Sequence, residues 1–176
     1  GFGLTEGEYG VVTLHRPSNV DQADTLGRVV DQLINVAGKL PLIFAVHPRT
    51  RKNLEKFDLL DRLANTDDIT LCEPLSYIQF MNLVSGARLV LSDSGGIQEE
   101  TTYLNVPCLT VRENTERPIT ITEGTNRLID SGDIQSAVEG VLAGNVADGR
   151  RPELWDGKTA HRATASLARL LGVADT

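Results

Sequence analysis

Residues 88–100 read RLVLSDSGGIQEE. Arg88 to Leu91 form a short apolar run of strand character, and Ser94, Gly95 and Gly96 mark the junction where the chain turns from strand to helix. The same unit recurs along the chain. Tyr9–Leu14 (YGVVTL), Leu42–Val46 (LIFAV), Ile69–Leu71 (ITL) and Pro107–Val111 (PCLTV) are further strand candidates, apolar without strict alternation. Strands covered by helices on both faces read this way. Between them, Leu26, Val29, Val30, Leu33, Ile34 and Ala37 recur at helical spacing. So do Leu54, Leu59, Leu60 and Leu63, and then Phe80, Leu83 and Val84. Such alternation predicts an α/β fold, a doubly wound, mostly parallel Rossmann-like sheet of about five or six strands. Beyond Asp130 only helices are expected, at Ile134–Leu142 and Ala160–Leu171, joined by the turn-rich stretch Gly144–Asp156.

Composition narrows the function classes. A chain of 176 residues with 40% hydrophobic and 23% charged residues is one ordinary globular domain, residues 1–176, without repeats or linkers. The net charge of -7 disfavours a generic electrostatic footprint for nucleic acid or anionic membrane, so any bound phosphate must be held locally. Cys72 and Cys108 each fall in an apolar run without CxxC spacing, which reads as reduced core cysteines of a cytoplasmic protein. Neither a signal peptide nor a membrane-spanning run is apparent. The chain opens on Gly1 and enters a strand-like run at Tyr9, as an excised piece of a longer protein would.

In a doubly wound sheet, ligands sit outside the C-terminal ends of the strands. There the chain places His15-Arg16-Pro17-Ser18-Asn19, His47-Pro48-Arg49-Thr50-Arg51, Ser92-Asp93-Ser94-Gly95-Gly96 and Arg112 to Pro118. The first N–H groups of a helix beginning after Ser94 are unpaired and carry partial positive charge, a ready seat for phosphate. A simple capped turn, with Ser94 as N-cap and Gln98 nearby, accounts for the same residues. Glu99 and Glu100 point about 100° apart on a helix, so they cannot face one substrate atom together. Glu100 is placed to accept from ribose hydroxyls, and Glu99 is expected in solvent. Arg117, in TERP, can fork onto an anion. His15 leaves a buried strand at the site edge, His47 does so one strand over, and a capping role suits His47 equally. Tyr77 and Phe80 open a helix near this edge. Metal-ligand spacing, a Walker A sequence and GxGxxG are all lacking, so neither a metal nor a dinucleotide or ATP cofactor is expected.

With these residues assembled, the chain resembles the C-terminal half of the non-hydrolysing UDP-N-acetylglucosamine 2-epimerases, two-domain enzymes of GT-B architecture. The resemblance covers nearly the whole chain. It rests on VVTLHR, FAVHP, EPLSYIQF, SDSGGIQEE, VRENTERP with EGTNRL, and a weaker match at WDGKTAHR. It implies that uracil lies against Phe80, that Ser94, Gly95 and Gly96 hold the diphosphate, that Glu100 binds the ribose and that Arg117 contacts phosphate. His15 matches the family's catalytic histidine near the diphosphate and sugar. Arg16 and His47 match positions at the interdomain cleft, which in bacterial members also contacts an activating substrate molecule.

The implied reaction interconverts UDP-GlcNAc and UDP-ManNAc through removal of the C2 proton, elimination of UDP to 2-acetamidoglucal, and re-addition with reprotonation from the opposite face. In the family the carboxylates that move these protons belong to an N-terminal catalytic domain, expected to be absent from this chain, so the isolated domain is expected to be inactive. The implied partners are UDP-GlcNAc and UDP, the N-terminal domain, and a second copy in a homodimer of the full-length protein. After His15-Arg16, many members continue with a Glu-Asn pair where this chain has Pro17-Ser18-Asn19. A hydrolysing UDP-GlcNAc 2-epimerase, a GT-B glycosyltransferase and a stand-alone nucleotide-sugar binding module remain as alternatives.

Overall fold

A computed structural model describes residues 3–147 and 149–172. Six strands form one wholly parallel sheet: β1 (Gly10–Thr13), β2 (Leu42–Ala45), β3 (Ile69–Cys72), β4 (Leu89–Ser92), β5 (Cys108–Val111) and β6 (Asn126–Ile129). Their spatial order is β3-β2-β1-β4-β5-β6. The order reverses between β1 and β4, where Thr13 stands opposite Ser92 in register. A crevice therefore opens at the C-terminal ends of these two strands.

The helices are α1 (Pro17–Val20), α2 (Ala23–Ala37), α3 (Pro48–Lys56), α4 (Leu60–Ala64), α5 (Tyr77–Ser85), α6 (Gly95–Leu104), α7 (Ile119–Thr122), α8 (Ile134–Leu142) and α9 (Thr159–Leu170). Helix α2 buries Leu26, Val29, Val30, Leu33, Val36 and Ala37, a single apolar stripe. With α3, α4 and α8 it covers one face of the sheet, over Val12, Phe44, Leu89, Leu91 and Leu109. Helices α5 and α6 cover the other, where Leu83, Val84 and Ile97 meet Val11, Ile43, Val90 and Cys108. Each fully buried aliphatic side chain contributes roughly 1.5–3 kcal/mol. The two faces thus hold the strand ends at fixed positions, and the loops beyond them inherit that rigidity. Helix α5 starts with a reciprocal capping box between Ser76 and Gln79. Helix α6 ends on Asn105 in the left-handed conformation, φ 57°.

Two expectations need correction. The leucine periodicity from Leu54 to Leu63 covers two helices, because the chain breaks at Phe57–Leu59 with Asp58 at φ 56°. Cys72 ends the edge strand β3 half-buried, whereas Cys108 is buried and burial pushes its thiol pKa up. No helix among the described residues is long and apolar enough to cross a membrane.

Candidate functional site

The site is built around Asp93, which follows β4 and is fully buried. Its carboxylate accepts the backbone N–H of His15 at 3.0 and 3.1 Å, that of Arg16 at 2.8 Å, and the Asn19 side-chain amide at 3.0 Å. The Arg16 Nε donates to the Asp93 carbonyl at 2.8 Å. A charge taken out of water is tolerable only when paired and hydrogen-bonded, and here the loop after β1 supplies the donors. His15 Nδ1 lies 3.0 Å from Asp93 Oδ1. That contact favours the tautomer with its proton on Nδ1 and leaves Nε2 for a ligand.

The His15 ring faces that of His47, with centroids 5.2 Å apart. His47 caps α3 by accepting the Arg49 backbone N–H on Nδ1 at 3.2 Å, so its capping role is realised. The two histidines share a cavity of about 230 Å³ with Thr13, Ala45, Pro74, Leu75, Phe80, Ser94 and Ile97. The structure thus brings together His15, His47, Phe80 and Ser94. None of the residues lining this cavity is acidic.

Ser94 occupies the N-cap position of α6, but its hydroxyl makes no bond to the helix. Of the capped turn only the Gln98 part is realised, its Nε2 donating to the Ser94 carbonyl at 3.3 Å, and the amides of Gly95 and Gly96 remain available to an outside acceptor. Gly96 has no heavy atom within 4 Å of where a Cβ would stand, whereas a Cβ on Gly95 would lie 2.6 Å from Arg117 Nη1 and 2.8 Å from Glu116 Oε1. Arg117 accordingly lies against the start of α6. Its Nε is 2.8 Å from Glu99 Oε2 and its Nη1 donates to Glu116 Oε1 at 2.6 Å. These carboxylates, Glu99 foremost, hold the guanidinium pKa above its usual value. Glu99 is therefore an ion-pair partner of Arg117 as well as a partly solvated residue.

Glu100 and Arg16 stand apart from the histidine cavity. Glu100 lines a neighbouring hollow of about 400 Å³ with Tyr77, Met81, Glu99, Tyr103 and Leu104, and its charge raises the Tyr77 pKa. Arg16 faces a separate polar hollow of about 410 Å³, shared with Arg28, Arg112 and Asp130, so it does not meet His47 in one cavity. Asp93 and Asn19 escaped the sequence reading as site-builders. The signal available was a charged residue directly after the short run Leu89–Ser92, every residue of which is buried; such a carboxylate must find donors once buried.

Fold and site together define a Rossmann-like α/β domain whose chemistry is gathered at the switch point of its sheet. The family model for UDP-N-acetylglucosamine 2-epimerase matches residues 2–168, and the chain belongs to that family. A UDP-N-acetylglucosamine 2-epimerase of Methanococcus maripaludis is 42% identical over 147 residues, covering 81% of this chain and 40% of the relative. One of Methanocaldococcus jannaschii is 43% identical over 129 residues, covering 72% and 35%. The crystal structure of the Methanocaldococcus jannaschii UDP-GlcNAc 2-epimerase in complex with UDP-GlcNAc and UDP superposes with a TM-score of 0.77 at 38% identity, covering 92% of this chain and 45% of that one. The chain spans less than half the length of these relatives.

Proposed function

We propose that the chain is the UDP-holding domain of a UDP-N-acetylglucosamine 2-epimerase that, as a whole protein, interconverts UDP-GlcNAc and UDP-ManNAc by eliminating and re-adding UDP. The observation that carries this reading is the convergence, at one switch point, of an oriented histidine, an uncapped helix terminus and an arginine. Departure of UDP from C1 places negative charge on the diphosphate. The Ser94 hydroxyl and the backbone N–H groups of Gly95 and Gly96, together with Arg117, meet that charge as it develops, without reorganising at the moment of reaction. His15, fixed by Asp93, presents Nε2 to the glycosidic oxygen of the leaving group. In the same reading Phe80 supports the uracil and Glu100 accepts from the ribose hydroxyls.

Proton transfer at C2 needs carboxylates, and the cavity that holds His15 is lined by none. We assign them to a second, N-terminal catalytic domain that closes over this edge. Helix α9, which buries no residue and exposes Leu167 and Leu170, offers an apolar face for that domain. A homodimer of the whole protein and a cytoplasmic location belong to the same reading. Arg16 and His47, at the open edge, are its candidates for contact with an activating substrate molecule.

Calorimetric titration of UDP into the chain tests the site. UDP binds, and Arg117→Ala and Glu100→Ala each weaken it by about tenfold or more, as loss of a charge-assisted hydrogen bond requires. Absence of UDP binding, or indifference to both substitutions, overturns the reading. The purified chain converts no UDP-GlcNAc; measurable turnover would refute the assignment of the acids to a second domain.

A further inference from the structure

Arg117 is one link in a row of alternating charges that reaches back into the core. Arg112 follows β5 directly, and its side chain is 9% exposed. Its Nη2 donates to Glu116 Oε2 at 2.8 Å, while the other oxygen of the same carboxylate takes Arg117 Nη1. Glu116 thus bridges two guanidinium groups, one anchored and one at the site. Arg112 itself lies outside the cavity of His15 and lines the polar hollow on the other side of the β1 loop.

Two physical effects follow from the bridge. The anchored end removes freedom from the exposed end, since a planar guanidinium and a carboxylate fit in few relative orientations. The bridge also distributes charge. Arg117 faces Glu99 on one side and Glu116 on the other. Without Arg112, both carboxylates would fall to Arg117 alone, and little positive charge would remain for an anion at the start of α6.

We infer that Arg112 is a positioning residue for Arg117: acting through Glu116, it fixes the second guanidinium beside the first turn of α6 and takes up enough of the Glu116 charge to leave Arg117 available to a phosphate-bearing ligand. The inference rests on the diphosphate reading of that helix terminus. Arg112 touches no ligand in this account, so its contribution passes entirely through Glu116.

The test is a double-mutant cycle read by calorimetry with two probes, pyrophosphate and UDP, on the wild-type chain, Arg112→Gln, Glu116→Gln and the double variant. Arg112→Gln weakens both probes by about tenfold, the scale of one charge-assisted contact. Glu116→Gln weakens them several-fold, and the double variant is no weaker than Arg112→Gln, because both substitutions cut the same tether. Wild-type affinity for pyrophosphate in Arg112→Gln, or losses that multiply in the double variant, overturns the inference. If thermal melting shows Arg112→Gln unfolded, undiminished pyrophosphate binding by Glu116→Gln overturns it instead. Pyrophosphate binding that depends on Arg112 without any preference for UDP sinks the nucleotide reading and keeps the positioning role. UDP binding insensitive to Arg112→Gln does the reverse, and binding of neither probe sinks both.

Discussion

The Asp93 carboxylate holds His15 by both its backbone N–H and its imidazole Nδ1. A buried carboxylate in this position serves the fold and the site together. Asp93→Asn keeps the shape but turns an amide group toward donors that then lack an acceptor, and it releases the tautomer of His15. The expected loss is about 2–3 kcal/mol of stability, measured by urea denaturation, with weaker UDP binding alongside. A variant as stable as wild type would show that the β1 loop is held by other contacts.

Substitutions at Gly95 and Gly96 lose affinity for different reasons although the two are neighbours. Gly95→Ala forces its Cβ against the Arg117 guanidinium, which must swing away because it is the flexible partner. Diphosphate affinity falls by about tenfold with Arg117 displaced. Gly96→Ala meets nothing within 4 Å and leaves the melting temperature unchanged or slightly raised. It nevertheless blocks close approach of phosphate to the backbone, so its affinity also falls. Full affinity in Gly96→Ala places the ligand elsewhere.

Glu99 competes with an anion for Arg117, to which it is paired at 2.8 Å. Glu99→Gln removes that competition while preserving the helix. Titration should show UDP bound about threefold or more tightly, a modest gain because the pair is partly exposed. Weaker binding would mean that Glu99 orients the guanidinium more than it masks it.

Acid should dissolve the tether at an unusually low pH. The guanidinium of Arg112, with help from the Glu116 backbone N–H, pulls the Glu116 carboxyl from an ordinary 4.5 down to about 2. A depressed carboxyl stabilises the folded state above its unfolded value, and that stabilisation is lost as pH falls through the folded one. The Glu116 side-chain carboxyl resonance followed by NMR should therefore titrate near 2. In Arg112→Gln its midpoint should return toward 4.5; a midpoint already there in the wild type would deny the bridge.

What the sequence made legible follows from where its constraints are local. Strands β1, β2, β4 and β5 were evident because residues such as Val11, Ile43 and Val90 are buried on both faces of the sheet and leave nearly unbroken apolar runs. Strand β6, Asn126–Ile129, escaped because it is an edge strand that begins on a buried asparagine, which bonds Gln98 and Thr120, and continues with an exposed arginine. The short helices α1 and α7 have too few residues for a periodic signal. The helix terminus at Ser94–Gly96 was readable from three adjacent residues. The Asp93 clamp was not, since its partner His15 lies 78 positions away. The pairing of Glu99 with Arg117 was hidden likewise, because only the folded sheet brings α6 beside the loop after β5.

The seam between β1 and β4 divides the sheet into two βα halves, β1–β3 and β4–β6, joined by that strand pairing, by α2 packing on α8 and by Asp93 reaching across. His15 belongs to one half, and Ser94 and Arg117 to the other. A ligand that touches all three is therefore a staple across the seam of the sheet. Its binding adds to the stability of the folded domain, because the pocket exists only where the two halves of the sheet meet.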